Sequence, residues 1–293
     1  WDSNIVVIDN KFISERVNQL RNWNIDFIHG DILDVDLINE HCKNADIVHH
    51  LAGITDVPRV KSETNTEKDN KIQLVGEKGT QNILNAISDK CKIIFPSTHV
   101  VFEGIEKIKN NILENENLKP ELSYAKSKAT NEKQLINSGK NYIILRLGSV
   151  YGYSLDNARI DIMPNLFSKI ASQNGTLKLF SGGKQVKSLV PLIDVARCFK
   201  FMEEREDLIS EIYNLTKEFN NIYNGGEHII HKNTYNQSYL KHFNVIKKIE
   251  YEERQATLHK ISICNYSNFT NEFKLSEIFN KINLSNDIPF VKY

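Results

Sequence analysis

Short apolar runs alternate with polar, helix-patterned stretches through the first half of the chain. Residues 4–9, Asn-Ile-Val-Val-Ile-Asp, run apolar into an acid, as a buried parallel strand does. Residues 25–29 and 46–53 repeat the pattern, the first running into Gly30-Asp31 and the second into Leu51-Ala52-Gly53. Residues 92–97 and 142–147 read as fourth and fifth strands. Between them, residues 14–21, 36–42 and 72–87 carry helical patterns. Strands alternating with helices imply βαβ units with right-handed crossovers, hence an α/β fold with a parallel sheet covered on both faces. After Gly152 the pattern changes. Residues 162–171 read as a helix, 177–180 as a strand and 181–184 as a turn; residues 190–201 lead into a helix from about Asp194. The last ninety or so residues are less regular.

The fourth strand is followed by Ser123-Tyr124-Ala125-Lys126-Ser127-Lys128. On a helix, positions four apart share a face, so Tyr124 and Lys128 point into one site. An ammonium beside a phenol favours the phenolate and lowers the tyrosine pKa. Such a tyrosine can take a proton from an alcohol or return one to a carbonyl. Thr98, at the strand end, adds a hydroxyl to hold the substrate oxygen. Tyr-x-x-x-Lys alone recurs by chance; its weight here comes from the order of the motifs around it.

Composition narrows the classes. The chain has 293 residues, enough for a sizeable core. Lys+Arg and Asp+Glu both total 37, which gives no footprint for nucleic acid. No apolar run reaches the ~20 residues of a membrane span, and none reads as a signal peptide. Cys42, Cys91, Cys198 and Cys264 lie far apart, without metal-ligand spacing, and read as reduced thiols of a cytoplasmic protein. His49 and His50 read as packing residues, so no metal site is expected.

In chain order the motifs are Asp9-Asn10 at a strand end, Gly30-Asp31-Ile32, His50-Leu51-Ala52-Gly53, Gly79-Thr80-Gln81-Asn82, Ser97-Thr98, Tyr124…Lys128, Arg146 with Val150-Tyr151-Gly152, and Asp194-Val195-Ala196. As an ordered set over residues 4 to 200 they resemble the extended short-chain dehydrogenases/reductases of the nucleotide-sugar epimerase type. The resemblance implies a Rossmann-type doubly wound sheet with a smaller C-terminal substrate-binding domain. It places the dinucleotide-binding domain at residues 1–155, with 184–200 returning to it, and the substrate-binding domain mainly at 156–293. It implies NAD, a nucleotide-sugar substrate, and a homodimer packed through the helices from Ile72 and Tyr124. Asp9 would accept from the adenosine ribose and favour NAD over NADP; Asn10 lies beside it, and Asp31 and Ile32 would lie against the adenine. Leu51, Ala52 and Gly53 would let the cofactor backbone pass close to a strand end. Thr98, Tyr124 and Lys128 are the implied catalytic set, Lys128 also binding the nicotinamide ribose. Thr98, Ser149 and Lys187 are the implied substrate contacts. Glu132 reads as a structural surface or interface residue, and Arg146 as an ion-pair partner at a strand end.

Departures from the family pattern are informative. Its glycine-rich phosphate loop is not found in a chain that begins at Trp1 and reaches a strand within four residues. The expectation is a chain without its first strand-helix unit and with an exposed sheet edge. Gly76 and Ser149 stand where the family commonly has Asn, and Lys187 where it has Arg. After Thr98 come His99 and Val100, not the Asp-Glu pair of a sugar 4,6-dehydratase nor the Glu of the related decarboxylases. That leaves an epimerase, with an NAD(P)-dependent ketoreductase or a catalytically idle dinucleotide-binding scaffold as alternatives.

Overall fold

The computed structural model describes residues 3–55, 66–106, 112–152, 162, 165–166 and 187–219. The helix expected at 162–171, apart from three positions, and the strand and turn at 177–184 lie outside the described residues. The chain divides into two compact units, Trp1–Arg146 with Phe201–Tyr213, and Leu147–Lys200 with Asn214–Tyr293.

The first unit follows the alternation of the sequence. Its elements are β1 (Val6–Asp9), α1 (Ser14–Asn22), β2 (Asp26–His29), α2 (Val35–Cys42), β3 (Ile47–His49), α3 (Thr66–Gln73), a π turn (Leu74–Lys78), α4 (Gly79–Ala86), β4 (Lys92–Thr98), a 3-10 turn (His99–Phe102), α5 (Ser123–Asn137) and β5 (Asn141–Leu147). Local chemistry marks several boundaries. Asp34 caps α2 by accepting from the backbone N–H of Leu37 at 3.1 Å. Gly139 takes φ +70° just past α5, the left-handed turn that stops a helix. The helix expected over 72–87 is one helical path with a wide turn in it, because Leu74–Lys78 adopts the i→i+5 pattern.

β1 pairs parallel with β2, Val6 opposite Asp26, and β3 pairs parallel with β4, Ile47 opposite Lys92. β4 continues to β5 and then to β8 (Glu211–Leu215), giving the order β3-β4-β5-β8. No backbone ladder joins β1 to β3 among the described residues. Successive strand residues face opposite sides, and Ile93, Ile94 and Phe95 of β4 and Ile143, Ile144 and Leu145 of β5 are all fully buried. Both faces of this part of the sheet are therefore covered, as a parallel sheet requires. The core joins Ile38 and Cys42 of α2, Ile83 and Leu84 of α4, Phe95 of β4 and Leu135 of α5.

The second unit holds β6 (Ser149–Tyr151), β7 (Lys187–Pro191) and β9 (Lys217–Phe219) in the order β6-β7-β9. β6 pairs parallel with β7, Ser149 opposite Leu189, and β7 pairs antiparallel with β9, Lys187 opposite Phe219. α6 (Leu192–Glu204) begins directly after Pro191, two residues before the start read from the sequence. β6, β8 and β9 have three to five residues each and too little periodicity to be read locally.

Candidate functional site

The sequence-selected residues of the first unit gather at the carboxyl ends of its parallel strands. Asp9 closes β1 and accepts from the backbone N–H of Lys11 at 2.8 Å. Asn10 donates through Nδ2 to Asp31 Oδ2 at 3.0 Å, and the other Asp31 oxygen accepts from Leu33 N at 2.9 Å. The Asn10 bond, then the Leu33 N–H, hold the Asp31 carboxyl below the usual carboxylate range. His29 of β2 meets the Asn10 carbonyl at 3.1 Å and stacks edge-on with Phe12. Ile32 is buried in the core, its carbonyl accepting from Asn82 Nδ2 at 3.0 Å. Its side chain is committed to packing, so a ligand at this point meets Asp31 and the backbone.

At the end of β3 the chain opens. Leu51 is 59% exposed, Ala52 and Gly53 are exposed, and a Cβ placed on Gly53 would find no atom within 4 Å. His50 turns inward instead. It is buried, meets Thr80 Oγ1 at 2.8 Å and lies on Phe95 with ring centroids 5.2 Å apart. Its Nδ1 has no hydrogen-bond partner among the described residues. Burial, and then the charge of Lys128, push its pKa down to about 3, so the ring is neutral.

The end of β4 and the first half of α5 hold Thr98, Tyr124 and Lys128. Thr98 is buried, and its hydroxyl oxygen accepts from Val100 N at 3.3 Å, leaving its own proton to donate. Lys128 is 8% exposed; its ammonium donates to the Pro96 carbonyl at 2.8 Å and sits 4.3 Å over the Phe95 ring. Tyr124 lies one turn before it, half-buried in the first turn of α5. Burial lowers the Lys128 pKa to about 8, and the Glu132 carboxylate partly opposes that fall. With a midpoint of about 8 the lysine is mostly protonated at neutral pH. Glu103 accepts from Glu121 N at 2.8 Å and Leu122 N at 2.6 Å, fixing the chain where α5 starts.

Glu132 corrects the sequence reading. It is no surface residue: it is 1% exposed and paired with Arg146, Oε2 to Nη2 at 2.8 Å. The signal was present in the spacing, since Tyr124, Lys128 and Glu132 repeat every four residues along one helical face. What a helix face packs against is a tertiary fact. Thr80 and Glu103 were likewise given no role in the site by sequence alone.

Ser149 and Lys187 lie in the second unit, on neighbouring strands β6 and β7. Cys42, Cys91 and Cys198 are buried and form no disulfide among the described residues. Among the described residues no group of three His, Cys, Asp or Glu is placed to hold a metal ion, and no helix is long and apolar enough to cross a membrane.

The residues present fit the adenosine and nicotinamide-ribose halves of a dinucleotide. Two carboxylates stand at the ends of β1 and β2, an exposed segment at the end of β3 where a Cβ on Gly53 meets no atom of the described residues, and a buried ammonium at the end of β4. A family model described as the NAD dependent epimerase/dehydratase family matches residues 2–216. UDP-N-acetyl-alpha-D-glucosaminuronate decarboxylase of Bacillus cytotoxicus is 27% identical over 248 residues, covering 81% of this chain and 75% of the relative. Among solved structures, UDP-glucuronic acid 4-epimerase from Bacillus cereus, in complex with UDP-glucuronic acid and NAD, superposes with a TM-score of 0.60 at 22% identity, over 76% of this chain and 73% of that one. dTDP-glucose 4,6-dehydratase from Streptomyces venezuelae, with NAD bound, superposes with a TM-score of 0.59 at 22% identity, over 72% of this chain and 66% of that one. At such identities these structures share the fold, and the chain spans about two thirds to three quarters of their length.

Proposed function

Because the chain belongs to the NAD-dependent epimerase/dehydratase family of enzymes, we propose that it epimerises a nucleotide-diphosphate sugar by transient oxidation of a ring carbon. The observation that carries this reading is the buried Lys128 ammonium, pinned to the end of β4 one helical turn from Tyr124. NAD, when bound, supplies the hydride acceptor and donor. Asp9, Asn10 and Asp31 would hold its adenosine, Leu51, Ala52 and Gly53 would border its path, and Lys128 would meet the nicotinamide ribose. Thr98 donates a hydrogen bond to the reacting sugar oxygen and holds it at Tyr124. The Tyr124 phenolate, stabilised by Lys128, removes the hydroxyl proton as the carbon is oxidised and returns it when the carbon is reduced. Ser149 and Lys187 are proposed to contact the substrate.

Two features favour epimerisation over elimination. His99 and Val100 follow Thr98 in the 3-10 turn, and neither is a carboxylic acid. The first carboxylate after them, Glu103, is engaged by two backbone N–H groups at the start of α5. The similar proteins include a decarboxylase and a dehydratase; the lack of a carboxylic acid at positions 99 and 100 supports the epimerase reading over those reactions.

The test is turnover with NAD and a panel of UDP- and dTDP-sugars. Tyr124→Phe is expected to lower kcat by roughly 10²–10⁴-fold, with an unchanged circular dichroism spectrum and thermal midpoint. Full activity in that variant would remove Tyr124 from its role. Net production of NADH or consumption of it during turnover would point to a reductase, since an epimerase returns its cofactor unchanged.

A further inference from the structure

The proton transfer itself makes no demand for the buried carboxylate of Glu132. Its Oε1 accepts from Ser97 Oγ, and Arg146 Nε lies 3.1 and 3.2 Å from its two oxygens. Arg146 is in turn held by the Glu114 carbonyl at 2.8 Å and lies 5.2 Å over the Phe102 ring. One carboxylate thus ties α5 to β4 through Ser97 and to β5 through Arg146. Ser97 sits between Pro96, whose carbonyl receives the Lys128 ammonium, and Thr98. A buried ion pair is weak evidence of a stabilising role, because apolar side chains of similar volume often do as well. A charge kept here, four residues from Lys128 on the same helical face, has another use.

We propose that Glu132 is a positioning residue for the Tyr124–Lys128 pair: it locks the end of β4 against α5 and keeps the Lys128 ammonium charged inside a buried site. This rests on the reading of Tyr124 and Lys128 as the proton-transfer pair. A neutral lysine would not lower the tyrosine pKa, and burial alone drives Lys128 toward neutrality. Among the described residues, the charged or titratable groups facing Lys128 are Glu132 on its own helix, itself paired with Arg146 of β5, and neutral His50 after β3; Tyr124 lies one helical turn before it. From β4 it meets the Pro96 carbonyl and the Phe95 ring. The π turn and α3 present carbonyls to α5, those of Ile72, Gly76 and Glu77.

The charge reading and a merely structural one predict opposite signs. Removing the carboxylate charge lowers the Lys128 pKa, whereas loosened packing admits water and raises it toward 10.5. The experiment is an NMR titration of protein labelled with 13Cε-lysine, the Lys128 signal assigned by its loss in Lys128→Met. Glu132→Gln is expected to lower the Lys128 midpoint by roughly one pH unit, and Glu132→Asp to leave it close to the wild-type value. Glu132→Gln combined with Arg146→Met removes both members of the buried pair, so neither is left without the other, and is expected to fold where the single variant fails; its midpoint also falls, by less than in the single variant because the Arg146 charge is lost too. An unmoved or raised midpoint in the folded variants overturns the proposal. The titration needs neither substrate nor cofactor. A shifted lysine without turnover on any nucleotide sugar removes the proposed function and leaves this inference standing; turnover with an unmoved lysine does the reverse.

Discussion

His50 and Lys128 lie against the same ring, Phe95, and only one of them carries charge at neutral pH. The difference follows from their ordinary pKa values. Burial lowers both, but a lysine starting at 10.5 stops at about 8, whereas a histidine starting at 6.5 falls to about 3. Unfolded histidine therefore holds a proton between about pH 6.5 and pH 3 that folded His50 does not, and acid favours unfolding across that window. The His50 contribution to stability is complete above pH 6.5 and falls as pH drops, by about 1.4 kcal/mol per pH unit. Urea unfolding at pH 7, 6 and 5 checks this: His50→Gln is expected to show a shallower loss toward acid than the wild type. Parallel pH dependence in the two proteins would contradict it.

Among the elements, α5 matters most, because it carries Tyr124, Lys128 and Glu132 on one face and packs against the π turn with another. A π turn leaves carbonyls out of the regular ladder, and α5 answers them with side chains. Asn131 Nδ2 donates to the Gly76 carbonyl at 3.0 Å, Gln134 Nε2 to that of Glu77 at 3.0 Å, and Ser127 Oγ to that of Ile72 at 3.4 Å. The approach is close enough that a Cβ at Gly76 would collide with Ser127 Oγ. Gly76 is thus a packing requirement of α5, which gives a physical reason for its departure from the Asn of the family pattern. Gly76→Ala is expected to destabilise by about 1–3 kcal/mol. Adding Ser127→Ala, which leaves Asn131 Oδ1 at 3.5 Å and the residue-127 methyl at 3.6 Å, both ordinary contacts, should restore most of the loss. Denaturant midpoints of the two single variants and the double variant measure this coupling.

At the scale of the molecule, the first unit is completed by residues from far along the chain. Lys92, at the start of β4, donates through Nζ to the carbonyls of Met202 at 3.1 Å and Arg205 at 2.7 Å, closing the carboxyl end of α6. His49 of β3 meets Glu203 at 2.7 Å, and β8 then joins the sheet beyond β5. Burial lowers the Lys92 pKa while the acids around it pull the other way, so the ammonium is held by carbonyls rather than by water. Lys92→Met keeps much of the side-chain volume and removes the donors. It is expected to cost about 1–3 kcal/mol, read as a lower urea midpoint for the whole first unit; an unchanged midpoint would show the tie to be idle.

The parallel strands of the first unit, the helices between them and the Tyr-x-x-x-Lys face were legible in the residues themselves, because hydrophobic period and helical spacing are local properties of a chain. So was the family, through the order of its short motifs. The sequence could not show that Glu132 is buried against Arg146 and Ser97, that His50 is neutral beside a charged lysine, or that Gly76 answers a serine fifty-one residues later. Those properties depend on distance and dielectric between elements that meet only when folded. Residue types and spacing determined which groups could do the chemistry; the tertiary structure decided which of them are charged, which are held, and by what.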